Sequence, residues 1–198
     1  VNTADLTIPD GIGVVYASRI LKTPLKEKVA GVEMAAKIIE YAAKEHKKLY
    51  FFGGAKASDG KKAVWELAAD ALREKYPAIE IDGRDGFFGE EETDDIIDGI
   101  NQSGTQILFV CLGAPKQERF IYKNRKRFTS VRLAAGLGGT LDVLAGVADR
   151  APEFYLKHNL EWLYRFSKNP SRVGRIMKLP KFLFGTVLHG NKPNQTAK

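Results

Sequence analysis

The sequence predicts an α/β fold, a doubly wound and mostly parallel sheet with a basic helical appendage at its C-terminal end. Three observations predict it. Short apolar runs recur along the first 150 residues, each run closes on glycine, and each glycine turn leads into helical spacing. Strand, turn and helix in repeated alternation describe parallel strands covered on both faces. The 198 residues, 44% of them hydrophobic, suffice for one domain with a small addition and exclude disorder as the main state. A lone Cys111 excludes a disulfide framework, and no Cys/His spacing suits a structural zinc. No apolar run reaches the roughly 18 residues of a membrane span, and no signal-peptide pattern follows Val1.

The elements follow in order. Val32 to His46 has helical spacing. Lys48 to Phe52 is a short apolar run ending at Gly53-Gly54, a buried strand. Gly60 to Tyr76 is the next helix, with Val64, Leu67, Ala68, Ala71 and Leu72 on one face. Ile79 to Ile81 alternates and leads into Gly83 and Gly86. Glu90 to Asn101 is helical. Ile107 to Leu112 is the strongest buried-strand signal, closed by Gly113, and Lys116 to Phe128 is the helix after it. Val131 to Ala135 is the last strand, closed by Gly136-Leu137-Gly138-Gly139. Beyond Ala151-Pro152 the pattern changes to a helix over His158 to Lys168, a break at Pro170, and a helix from Ser171 to Leu188 interrupted by Pro180. The expected organisation is a body over 1–150, a basic helical appendage over 151–190 and a disordered tail over 191–198.

Charge is unevenly placed. The chain carries +7, yet ten of its 31 Lys+Arg and only two of its 24 Asp+Glu lie from Arg150 onward. That segment is therefore +8, and the first 149 residues are near −1. A near-neutral body with a basic, aromatic-laced end meets something anionic: phosphate, nucleic acid or a lipid surface.

Ligands of open α/β sheets bind beyond the carboxyl ends of the strands. Gly54 to Gly60-Lys61-Lys62 fails as a P-loop, because its glycines are six apart and Lys62 stands where Ser/Thr is required. Gly136 to Leu141 fails as a dinucleotide fingerprint, with Leu141 at the third glycine. Its backbone N–H groups precede a helix and fit a pyrophosphate, or the glycines serve the turn alone. Gly113-Ala114-Pro115-Lys116-Gln117-Glu118 reads as a helix start, or as a polar cluster on the cleft. Pro9-Asp10-Gly11 places a carboxylate on a rigid turn after an apolar strand end, and such turns are also purely structural.

Together these segments resemble one bacterial glycosyltransferase family, that of TagA, WecG and CpsF. The resemblance rests on Ala4 to Gly13, Val29-Ala30-Gly31, Phe52-Gly53-Gly54, Gly86-Phe87-Phe88 and Leu112 to Glu118. It continues through Gly136 to Asp142 with Gly146, Arg150-Ala151-Pro152 and Leu160 to Arg165, with TagA-type members most similar. Members carry further residues before the Ala-Asp-Leu segment, with a Thr-Pro-Asn stretch that helps build the site, so part of the pocket is expected to be missing. They also tend to have Arg where this chain has Lys28, and lysine meets phosphate without a bidentate clamp.

The resemblance implies a Rossmann-like enzyme that transfers N-acetylmannosamine from UDP-N-acetylmannosamine to undecaprenyl-diphosphate-linked N-acetylglucosamine, in wall teichoic acid linkage-unit synthesis. Inversion requires a base, and Asp10 is the candidate. Asp10 has no Asp-x-Asp neighbour, and Thr93-Asp94-Asp95 falls on an exposed helix, so a metal-independent reaction without cofactor is expected. Arg165, Arg172 and Arg175 are the cations for the leaving diphosphate, and Gln117 is a polar contact to sugar or acceptor. Substrate contacts are assigned to Gly11, Lys28, Gly113, Ala114, Pro115, Lys116, Gly136, Gly138, Gly139, Thr140 and Asp142. The appendage is expected to close over the site and to hold the enzyme peripherally on the anionic inner face of the cell membrane, in the cytoplasm. No nucleic-acid partner is expected, and a homo-oligomer is left open. The alternatives are a UDP-sugar transferase of another cell-surface polysaccharide, or a non-catalytic module that binds nucleic acid or other anions.

Overall fold

A computed structural model of the chain describes residues 3–158, 160, 163, 164, 167 and 178–189. It divides into two compact units. One comprises Gly31–Asp149 with the start of the chain up to Asp5; the other comprises Leu6–Ala30 and the chain from Arg150 onward.

The first unit holds four parallel strands, β1 (Leu49–Gly53), β2 (Ile81–Arg84), β3 (Ile107–Cys111) and β4 (Leu133–Gly136), in the order β2-β1-β3-β4. Every residue of β1 and β3 is buried, as covering on both faces requires. Side chains alternate between the faces. Leu49, Phe51, Ile107 and Phe109 join α2 (Gly31–Lys44) and α3 (Val64–Lys75) in one core layer. Tyr50, Phe52, Leu108 and Val110 join α4 (Thr93–Gln102) and α5 (Lys116–Asn124) in the other.

All four expected strands are present, with shifted ends. β4 starts at Leu133 because the N–H groups of Arg132 and Leu133 both donate to the Gln106 carbonyl, at 2.8 and 3.1 Å. The helix expected from Gly60 begins at Val64: Ser58 and Lys61 exchange backbone bonds of 3.2 and 2.8 Å around a turn instead. Its inner face is Val64, Ala68, Ala69 and Leu72, so Ala69 replaces the expected Ala71, which is exposed. Lys62, at the place a phosphate loop gives to Ser/Thr, pairs with Asp70 at 2.6 Å. The segment from Glu90 splits into a 3-10 turn, Glu90–Glu92, and α4. After β4 the helix α6 (Thr140–Leu144) has only five residues.

In the second unit, α1 spans Ile12–Ile20, α7 spans Glu153–Lys157 and α8 spans Lys178–His189. Ile8 to Asp10 is not a strand, contrary to the expected strand end: no strand pairs with it among the described residues, and Leu6 is exposed. The appendage becomes helical at Glu153, ahead of the expected His158. Pro180 lies inside α8 without interrupting it, because a first-turn residue has no intrahelical N–H bond to lose.

Candidate active site

Strand order reverses between β1 and β3: the chain runs outward from β1 to β2, then crosses back to β3 and on to β4. In such a sheet the ligand crevice lies beyond the carboxyl ends of the strands at the reversal. Four loops gather there. Gly53 ends β1 at φ +144°, and a Cβ on it would stand 2.4 Å from the Cys111 carbonyl oxygen, so only glycine allows β1 and β3 to end so close together. The Gly86 N–H donates to the Gly54 carbonyl at 3.0 Å, which brings in the loop after β2. That loop is clamped further on. Glu92 accepts from the Gly89 N–H at 2.9 Å and pairs with Arg84, and these two partners hold its carboxyl below the usual range. Phe88 packs on Phe52 and Phe120, and the Lys116 ammonium lies 4.0 Å from the centre of its ring.

The loops after β3 and β4 meet on one side chain. Gln117 is only 5% exposed, and its Oε1 accepts from the N–H of Gly113 at 3.1 Å and of Gly138 at 2.9 Å. Its Nε2 donates to Glu118 Oε1 at 2.8 Å. The Gly138 amide, expected to face a pyrophosphate, thus donates to Gln117, as does the amide of Gly113, expected as a substrate contact. Pro115 follows a cis peptide bond and caps α5. Gly139 caps α6, whose first residue Thr140 is buried with its hydroxyl on the Leu137 carbonyl at 2.7 Å. The Asp142 carbonyl accepts from the N–H of Val147 and of Ala148, both at 2.9 Å. Burial pushes the Cys111 thiol up to about 12, which makes it an inert core residue.

In the second unit Asp10 is exposed, one residue ahead of Gly11, the N-cap of α1. The Val29 N–H donates to the Pro9 carbonyl at 3.0 Å, tying the Asp10 turn to the segment that carries the half-buried Lys28. Arg165, Arg172 and Arg175 lie outside the described residues, as do Trp162 and Phe166. Among the described residues no cluster of three His, Cys, Asp or Glu suits a metal ion, and Asp94 pairs with Arg127 at 2.7 Å. Two cavities, of about 320 and 430 Å³, open at the opposite, amino edge of the sheet, one beside Lys48 and Glu80 and the other beside Ile38 and Leu133.

The residues that sequence reasoning missed at the carboxyl edge are Gly53, Gly54 and Gly86 as its floor. A glycine pair closing a fully buried strand was the available signal. Nothing in the sequence marks Gln117 as the tie between two loops, because that depends on which strands are neighbours.

A parallel sheet with an order reversal and glycine loops at its carboxyl edge is of the doubly wound α/β class, whose ligands bind beyond those strand ends. Within that class the assignment is direct. The sequence profile of the Glycosyl transferase WecG/TagA/CpsF family matches residues 1–196; the chain belongs to this family and is a glycosyltransferase. The N-acetylglucosaminyldiphosphoundecaprenol N-acetyl-beta-D-mannosaminyltransferase of Bacillus spizizenii is 35% identical over 201 residues, covering 100% of this chain and 75% of that protein. Proteins of the same name from Bacillus subtilis and Staphylococcus aureus are 33% and 34% identical, over 98% and 93% of this chain and 73% and 69% of their own lengths.

Proposed function

We propose that the chain transfers N-acetylmannosamine from UDP-N-acetylmannosamine to undecaprenyl-diphosphate-linked N-acetylglucosamine, with inversion and without a metal, in the linkage unit of wall teichoic acid. The observation that carries this reading is the 33–35% identity, across nearly the whole chain, to proteins whose name states that acceptor and that sugar. The reversal of strand order supports a UDP site among the loops after β1, β3 and β4. Asp10 is proposed as the base that takes the proton from the acceptor hydroxyl as its oxygen attacks the anomeric carbon. UDP departs from the opposite face, and the linkage inverts to β. Lys28, Lys116, Thr140, Asp142 and the backbone of Gly11, Ala114, Pro115, Gly136 and Gly139 are proposed as substrate contacts. Arg165, Arg172 and Arg175 are proposed to stabilise the departing diphosphate, a charge that grows in the transition state.

A lipid-linked acceptor calls for work at a membrane surface. No helix among the described residues is long and apolar enough to cross one. The basic segment from Arg150 onward is proposed as the peripheral contact, on the anionic inner face. The test is transfer of labelled N-acetylmannosamine from the UDP donor to the diphospholipid acceptor in vesicles, with the linkage read by NMR. A β-linked disaccharide formed in EDTA is expected. Transfer only with added Mg²⁺ or Mn²⁺, or only from another UDP-sugar, would refute that part of the reading.

A further inference from the structure

We propose that Gln117 is a positioning residue: its buried amide fixes the separation of the loops after β3 and β4 and so shapes the donor diphosphate site. The inference rests on the donor site proposed above. Gly113 and Gly138 belong to loops that leave neighbouring parallel strands, just past the bond from the Leu137 N–H to the Val110 carbonyl at 3.0 Å. Gln117 Oε1 accepts both of their N–H groups, at 3.1 and 2.9 Å, so one oxygen spans the gap between the two loops. The other half of the amide is anchored by Glu118 at 2.8 Å. The side chain also lies on the end of β4, where a Cβ on Gly136 would stand 2.9 Å from Gln117 Nε2. A glutamine with its oxygen doubly occupied, its nitrogen engaged and 5% exposure acts through the backbone it holds. A diphosphate recognised by both loops then depends on that span, since displacing a contact by about 1 Å can cost roughly 10²-fold in rate.

The test compares Gln117→Met, which keeps volume and removes the acceptor, with the swapped pair Gln117→Glu/Glu118→Gln in the full chain. In the swapped pair the carboxylate introduced at position 117 accepts from both glycine N–H groups and from the amide introduced at position 118. The tie is kept while the amide at position 117 is gone. Three quantities are read: hydrogen exchange of the Gly113 and Gly138 amides, UDP affinity by calorimetry, and KM and kcat for transfer. The methionine variant should exchange both amides faster, bind UDP more weakly and lose about 10²-fold in kcat/KM. The swapped pair should restore amide protection and bring UDP affinity and kcat/KM to within about tenfold of the parent.

Protected amides with transfer still lost in the swapped pair would overturn the proposal and give the amide at position 117 a direct contact. Faster exchange in the methionine variant with UDP affinity and transfer unchanged would overturn it too. Should the methionine variant fail to fold, the swapped pair decides on the same criteria. A parent chain that binds UDP through the tie yet transfers no N-acetylmannosamine would refute the proposed function and leave this inference standing.

Discussion

Asp10 and Gln117 stand in opposite surroundings, and the two residues are expected to fail differently when changed. Asp10 is exposed on a turn whose backbone is held by the Val29 N–H. Asp10→Asn keeps the shape and the hydrogen-bonding size of the side chain but removes the proposed base. It should leave UDP affinity unchanged and slow the bound complex by about 10²–10⁴, measured as single-turnover transfer beside a UDP titration. Near-parental turnover would make Asp10 a turn residue only. Cys111 gives a pH prediction at the same scale. Burial raises its thiol from 9.0 to about 12, so the folded chain holds this proton more tightly than the unfolded chain does. Stability linked to it is whole below pH 9.0 and is withdrawn as pH rises toward 12. At pH 8 a thiol-specific reagent should label Cys111 only at the rate of global unfolding, and fast stoichiometric labelling of native protein would contradict the buried placement.

The strands and long helices carry their own signals, which is why they were legible in the sequence. Ile107–Cys111 and Leu49–Gly53 are apolar in unbroken runs because both faces are covered. Element ends were less legible, since they depend on partners elsewhere in the chain: β4 waits for the Gln106 carbonyl, and α3 for the turn at Ser58–Lys61. Phe88 and Lys116 meet across 28 positions of sequence, and no local pattern announces such a stack. The close approach of β1 to β3 makes a prediction for an element junction. Gly53→Ala would force a Cβ to within 2.4 Å of the Cys111 carbonyl oxygen at a φ of +144°. Backbone strain and overpacking together should cost roughly 2–5 kcal/mol, read as a lower urea midpoint. A midpoint equal to that of the parent would show that the two strand ends are not held together as described.

Across the whole molecule, strand order was beyond the sequence because it is a long-range choice among topologies that share one pattern of runs and turns. The grouping of Leu6–Ala30 with the chain from Arg150 onward was equally hidden, since nothing local to Ile12–Ile20 signals that it packs with Lys178–His189. The family motifs were legible because they are short and ordered, and the profile match over residues 1–196 agrees with them. What the order reversal adds is a location. The donor nucleotide is expected at the carboxyl edge, although two cavities of about 320 and 430 Å³ among the described residues open at the amino edge. The most direct measurement is a map of backbone amide shifts on titration with UDP in the presence of EDTA. Saturable shifts should appear at Gly53–Gly54, Gly86, Gly113–Lys116 and Gly136–Thr140. Shifts centred instead on Lys48, Glu80 and Thr105, or on Ile38, Gln106 and Leu133, would contradict it.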